Sequence, residues 1–532
     1  MAPETTTDKA MTLQSSPAPA PVFSPPPSDS QDQRFVDWFL NFTYRHRRLG
    51  FFAVLGLYLI GFNGQWRIEP DAALYLTLGR NLAQGRGYTY LWKPHHLAYP
   101  GLPWMIAGTL KIFGTEHFWP AHLLMLLIAF AALALVYRLF LLHGGPRMAV
   151  LMTLGVAITK TFYRYAFEMR SDMPFLLGVM AFLVGYETTL AEGHPGRPAR
   201  KTQSWMLMFG GLALATVMRP TIWVLLLAIL CTFAYGAMRG RMRWRAVVIF
   251  LGAVVLVAVT FRAFDPRRST SASDDYEAVA IRSFTTGLSG TLSNAVHSNL
   301  HDLVYLATPD ALMQVRLGPG NVLISAIFIA IGIGLVREHV LWGVFVGLIV
   351  LMNFIVLPLD RYFLPVVPLM AYAWWLLLVR LNRLFPKWIG NIVVFGLLSL
   401  GLCSNFDKVG GIILEQRWVP FLAGYQGGIY QPLAKLATEI TANVDDDSLV
   451  LIRHANGRIV NFLSHRNVVD SRHFGDVDLR AHPVYVVEPA DRQMEELLKS
   501  NGLEAGETIA GVKNKSGEAV WTLHRAVPID AH

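Results

Sequence analysis

Along this 532-residue chain the apolar positions fall into blocks of membrane-spanning length separated by short polar or basic segments, rather than into amphipathic stripes. About eleven blocks are long enough to be helices across a core of roughly 30 Å at ~1.5 Å per residue. They cover 49–66, 119–142, 146–162, 173–191, 204–218, 221–238, 246–262, 321–336, 340–358, 362–379 and 388–403. Those near 146, 204 and 321 are short for a span.

The basic residues of the short connections set an orientation. With the N-terminus inside, Arg45, Arg47, Arg48, Arg138, Arg147, Arg197, Arg200, Lys201, Arg239, Arg241, Arg243, Arg245, Arg337, Arg380, Arg383 and Lys387 all face the cytoplasm. The connections left outside are longer and chemically richer: 67–118, 163–172, 263–320 and the tail from about 404.

The tail changes period. Residues 430–443, 455–464 and 490–500 read as helices, and Ser448–Arg453, Val484–Glu488, Glu507–Val512 and Val520–His524 as strands. The expected fold is therefore an α-helical polytopic protein of the inner membrane with a small C-terminal α/β domain on the outer, extracytoplasmic side of that membrane. Its parts are a disordered cytoplasmic tail at 1–33, rich in Pro and Ser as in Ser24-Pro25-Pro26-Pro27, a membrane region at 34–403, and an outer linker and domain at 404–532.

Composition agrees, with 53% hydrophobic residues, 16% charged and a mean hydropathy of +0.39. The net charge of +9 is mostly the orientation signal just described, and we do not read it as a nucleic-acid footprint. Cys231 and Cys403 both lie in apolar blocks, which excludes a disulfide framework.

Two outer segments and one helix end carry candidate chemistry. The first segment runs Glu69-Pro70-Asp71-Ala72-Ala73-Leu74-Tyr75, then Gly79-Arg80-Asn81-Leu82-Ala83-Gln84-Gly85, then Lys93-Pro94-His95-His96-Leu97-Ala98-Tyr99-Pro100-Gly101-Leu102-Pro103. Asp71 and Tyr75 share a helix face, and Pro70 suits a first helical turn; Asp71 as a simple helix-start acid is the alternative. The second segment is Tyr163 through Pro174, where Arg164, Glu168, Arg170 and Asp172 crowd the membrane edge as a site or as local ion pairs. The helix end is Leu359-Asp360-Arg361-Tyr362-Phe363-Leu364-Pro365.

In their order and shared side, these motifs resemble the C-type (GT-C) integral-membrane glycosyltransferases, which include the protein O-mannosyltransferases and lipid A aminoarabinose transferases. The resemblance implies transfer of a sugar from a polyprenyl-phosphate carrier to a lipid, glycan or protein acceptor with inversion. Asp71 is then the candidate base and Asp172 a second acid. Arg361, Arg170, Arg164 and Lys93 are candidates for the carrier phosphate, and Tyr75, Glu69, His96 and Arg219 for further substrate contacts. The motifs assign no cofactor, and a divalent metal held by Asp71 with His95 stays open. The chain departs from the aminoarabinose subgroup at Ala98-Tyr99, where that group has an acid and a lysine. A transporter or flippase, an oligosaccharide polymerase or ligase, and an envelope-binding protein are the other readings.

Overall fold

A computed structural model describes residues 35–62, 64, 69–95, 98–115, 117–191, 201–240, parts of 247–261, 334–355, 360–417, 430–453, 457–470, 478–489, 492–513 and 519–529. The expected 1–33 tail, the 263–320 loop, His96, most of block 321–336 and part of block 246–262 lie outside the described residues. Among those described, three helices are long and apolar enough to cross a membrane: Trp119–Ala157, Arg361–Leu384 and Lys387–Leu414. Ile222–Met238 and Val340–Met352 are apolar but shorter.

The chain enters through α1 (Phe35–Arg45) and α2 (Arg47–Gly61), then forms α3 (Pro70–Ala83) and α4 (Gly101–Phe113) in the first long connection. Pro70 occupies the first turn of α3 after an extended Glu69, so the missing proline N–H costs that helix no bond. Helix α5 (Trp119–Ala157) is broken inside by Gly145, at φ 71 and ψ 178, a backbone only glycine adopts readily, with Pro146 next. Two arms therefore meet there.

The second arm corrects the expected block 146–162. It stops at Ala157, and Thr159 caps a separate short helix α6 (Lys160–Ala166) by accepting the Phe162 N–H at 3.4 Å. The 163–172 segment is accordingly no exposed loop: Tyr163, Tyr165, Phe167 and Met169 fill the core. Tyr163 donates to the Leu57 carbonyl at 3.1 Å and Tyr58 to the Ala157 carbonyl at 2.7 Å, which ties this segment to α2.

Helix α7 (Asp172–Ala191) packs backbone to backbone on α8 (Lys201–Met218), before α9 (Ile222–Met238). A Cβ at Gly178 would lie 2.8 Å from the Gly211 carbonyl oxygen, and one at Gly211 would lie 2.5 Å from that of Gly178. Glycine at both positions permits this approach of the two backbones. After α10 (Val340–Ile355), the 3-10 segment Asp360–Val366 leads into α11 (Val367–Leu384) and α12 (Lys387–Arg417).

Beyond them, α13 (Tyr430–Asn443), α14 (Gly457–Ser464) and α15 (Arg492–Ser500) accompany a five-stranded sheet of β3 (Leu449–Ile452), β4 (Asn467–Asp470), β5 (Val484–Glu488), β6 (Leu503–Lys513) and β7 (Ala519–Pro528) in the order β4-β3-β5-β7-β6. β3 runs parallel to β4 and β5, while β7 is antiparallel to β5 and β6. The two faces separate by alternation. Val450 and Ile452 join Leu436, Ile440, Ile459 and Val460 of α13 and α14, whereas Leu449 and Leu451 pack with Leu74, Leu78 and Tyr88 of the first long connection. A small hairpin, β1 (Thr89–Tyr90) with β2 (Lys93–Pro94), abuts this second face, and its exposed Trp92 stacks on His482 at 4.6 Å.

The sheet is thereby clamped on α3. Arg80 donates to the Phe462 carbonyl at 3.0 Å and lies 5.1 Å over that ring, although it is only 4% exposed. The close approach of α7 and α8 is directly testable. Gly211→Leu should lower the thermal unfolding temperature of the purified protein, while Gly210→Leu, whose Cβ would meet nothing within 4 Å, should leave it near the native value. Equal effects of the two changes would refute the close packing.

Candidate active site

Asp71, in the first turn of α3, points its carboxylate at two guanidinium groups from remote parts of the chain. Arg361, in the 3-10 segment before α11, donates to Oδ2 at 2.6 Å, and Arg458, in the first turn of α14, donates to Oδ1 at 3.2 Å. The Asp71 side chain keeps 34% of its surface exposed, against 11% for Arg458. Burial pushes the Asp71 carboxyl up, but Arg361, Arg170 and Arg458 outweigh it and hold it below its ordinary value of 3.8.

Around this pair lies a cavity of about 210 Å³, lined among others by Tyr75, Tyr99, Ser171, Asp172, Arg219, Arg361 and Arg458. Asp172 opens α7 and pairs with Arg219, which follows α8; both are almost fully buried. The α7–α8 contact therefore aligns this second ion pair. Tyr75, one turn after Asp71, is within 3.1 Å of the Ser171 hydroxyl, and the Tyr362 ring lies 4.9 Å from the Arg219 guanidinium.

A second network sits beside the first. Glu69, preceding α3, accepts from Arg164 at 3.3 Å and Arg170 at 3.1 Å. Both arginines also pair with Glu168, at 2.6 Å and 3.3 Å, and the Glu168 side chain is wholly buried. Arg164 and Arg170, expected as phosphate contacts, are therefore spent on Glu69 and Glu168 and do not line the cavity. Lys93 is exposed on the hairpin and also lies away from it. His95 is buried against Tyr88 and Tyr90, and its Nε2 accepts the Ala98 N–H at 3.1 Å. Its ring serves the hairpin, and the partners of Asp71 are guanidinium groups.

Sequence reasoning brings Asp71, Tyr75, Asp172, Arg219 and Arg361 to one place, and the structure puts all five on the cavity wall. It missed Arg458. The only signal was a basic residue on a helix of the tail, and nothing in hydrophobic spacing says that this helix docks on α3. Across both networks, five guanidinium groups face four carboxylates, leaving a net positive site suited to an anion.

Comparison with known proteins follows this geometry. The sequence model of the dolichyl-phosphate-mannose-protein mannosyltransferase family matches residues 93–263. Among solved structures, the chain is similar to ArnT from Cupriavidus metallidurans bound to undecaprenyl phosphate, with a TM-score of 0.57 and 14% identity over 90% of this chain and 97% of that one. The chain has the GT-C glycosyltransferase fold. The archaeal oligosaccharyltransferase AglB from Archaeoglobus fulgidus, in complex with an inhibitory peptide and a dolichol-phosphate, shares the GT-C fold at a TM-score of 0.53 and 12% identity over 91% of this chain and 74% of that one. No curated protein sequence matches the chain.

The electrostatics of Asp71 predict an acid limb. Because its folded value is depressed, its ion pairs contribute their full stability above 3.8 and lose it as the pH falls through the lower folded value. Asp71→Asn should unfold at a lower temperature than the native protein at neutral pH, and the gap should close on acidification past 3.8. A gap independent of pH would show that the carboxylate charge is not what binds the two arginines.

Proposed function

We propose that this protein is a membrane glycosyltransferase that moves a sugar from a polyprenyl-phosphate carrier to a lipid, glycan or protein acceptor on the outer face of the cytoplasmic membrane. The observation that carries the reading is the clasp of Asp71 between Arg361 and Arg458 on the wall of a cationic cavity. The likeness to ArnT and AglB, solved with undecaprenyl phosphate and dolichol-phosphate, supports a polyprenyl-phosphate donor. In the same reading the chain crosses the membrane about eleven times, with its N-terminus cytoplasmic and the sheet-bearing region outside.

The chemistry follows from an exchange of partners. A carrier phosphate entering the cavity competes with Asp71 for Arg361, since guanidinium groups bind phosphate oxygens in pairs. Asp71 then loses a stabilising cation and becomes a stronger base. It takes the proton of the acceptor hydroxyl or amine as that atom attacks the anomeric carbon from the face opposite the phosphate. The bond from carbon to phosphate oxygen breaks, its electron pair stays on the carrier phosphate, and Arg361 and Arg458 hold that charge. Asp172, fixed by Arg219, stands on the same wall to receive a sugar or acceptor hydroxyl.

Labelled polyprenyl-phosphate sugar, supplied to the purified protein in liposomes with membrane acceptors, tests the reading. Asp71→Asn should cut the turnover by ~100-fold or more, the scale of a lost general base. Arg361→Lys should raise the donor KM by about 10-fold through loss of paired phosphate bonds. Near-native transfer by Asp71→Asn would remove Asp71 from the reaction, and absence of any transfer from such donors by the native protein would overturn the function.

A further inference from the structure

At the opposite end of α7 from Asp172 lies a cluster that the transfer reaction does not use. His143 stands at the foot of the first arm of α5, two residues before the Gly145 break; Glu187 is in the last turns of α7, and His339 immediately precedes α10. One ligand atom from each, all three within 4.8 Å of one another, makes this the only group of three His, Cys, Asp or Glu able to hold a metal among the described residues. The His143 Nε2 to Glu187 Oε2 separation is 3.6 Å.

The walls are built rather than open. Trp342 is fully buried, and its ring lies 4.4 Å from that of His339 and 4.8 Å from that of His143. Tyr372 places its hydroxyl 3.5 Å from His339 Nε2. His143 Nε2 is buried and makes no hydrogen bond, although it faces the carboxylate of Glu187. A carboxylate set among imidazole and indole rings in an apolar helix bundle is costly without a cation.

We propose that His143, Glu187 and His339 form a zinc site that staples the foot of the first arm of α5 and the end of α7 to the start of α10. Two imidazole nitrogens and one carboxylate oxygen are a donor set that suits zinc and leaves a fourth position for water. Tetrahedral zinc, with bonds of about 2.0–2.2 Å, holds its ligand atoms ~3.3–3.5 Å apart. His143 and Glu187 are already near that separation, and side-chain rotation of His339 closes the remainder.

The placement gives the staple a purpose. Helix α7 begins at Asp172, ~22 Å above Glu187 along the helix axis, and α10 leads toward the segment that carries Arg361. A metal at the lower ends fixes α7, whose first residue Asp172 lines the cavity, relative to α10, which precedes the segment bearing Arg361. The site is structural and independent of whether transfer is the reaction performed above it.

Purified full-length protein, freed of metal with a chelator, tests this by titration with zinc alone, read as bound metal per chain and as the unfolding temperature. The expected result is about one zinc per chain and a zinc-dependent rise in unfolding temperature. Glu187→Gln and His339→Gln should each weaken zinc binding by ~100-fold or more, by removing a direct ligand. Their metal-free unfolding should match that of the metal-free native protein. Should either variant fail to fold, the native protein loaded with cobalt(II) keeps the question open to decision: tetrahedral visible absorption that zinc displaces supports the site, and its absence overturns it. Sub-stoichiometric zinc in the native protein, or unchanged zinc affinity in folded variants, would equally overturn it.

Discussion

The carboxylate of Asp71 is gripped by two arginines that stand 290 and 387 residues further along the chain, and the arrangement of the rest of the molecule can be understood as what keeps them there. Helix α3 presents the acid, the turn before α11 presents Arg361, and α14 presents Arg458. Any drift of the sheet-bearing region from α3 would pull Arg458 away. The Arg80 to Phe462 bond, the Phe118–Phe462 ring contact at 4.9 Å, and the packing of Leu449 and Leu451 against Leu74 and Leu78 prevent it.

Charge balance explains how so many charges are held together at this site. Nine ionisable side chains at the margin of an apolar helix bundle would be costly as single charges, and they are found as interlocked pairs. The pairs differ in exposure. Asp172–Arg219 and Glu168 are shut away and hold shape, whereas Asp71 keeps a third of its surface open, where an entering anion can compete for its partners. The excess of one guanidinium favours an anion there, and in the proposed reaction the exchange of partners would set the base strength of Asp71.

Much of this was legible in the chain. The helices Tyr430–Asn443 and Ile222–Met238 follow their hydrophobic blocks closely, and Pro70 with Asp71 marks the start of α3. Strand β4 was not legible, because Asn467-Val-Val-Asp470 is four residues long and buried in a parallel pair, with no alternation to reveal it. The end of the second arm of α5 at Ala157 was hidden by continuous apolar sequence, broken only by the Thr159 cap. Arg458 was invisible for a different reason: its role comes from the docking of α14 on α3, a long-range contact that no local period encodes. The same holds for the partners of Arg164 and Arg170, which looked available in sequence and are spent on Glu69 and Glu168.

The most direct test of the central claim is a structure of the full-length protein with polyprenyl phosphate bound. The account predicts the phosphate in the cavity beside Arg361, with the Asp71 carboxylate released from that guanidinium and still held by Arg458. A phosphate bound away from Arg361, or an Asp71–Arg361 pair unchanged in its presence, would contradict it.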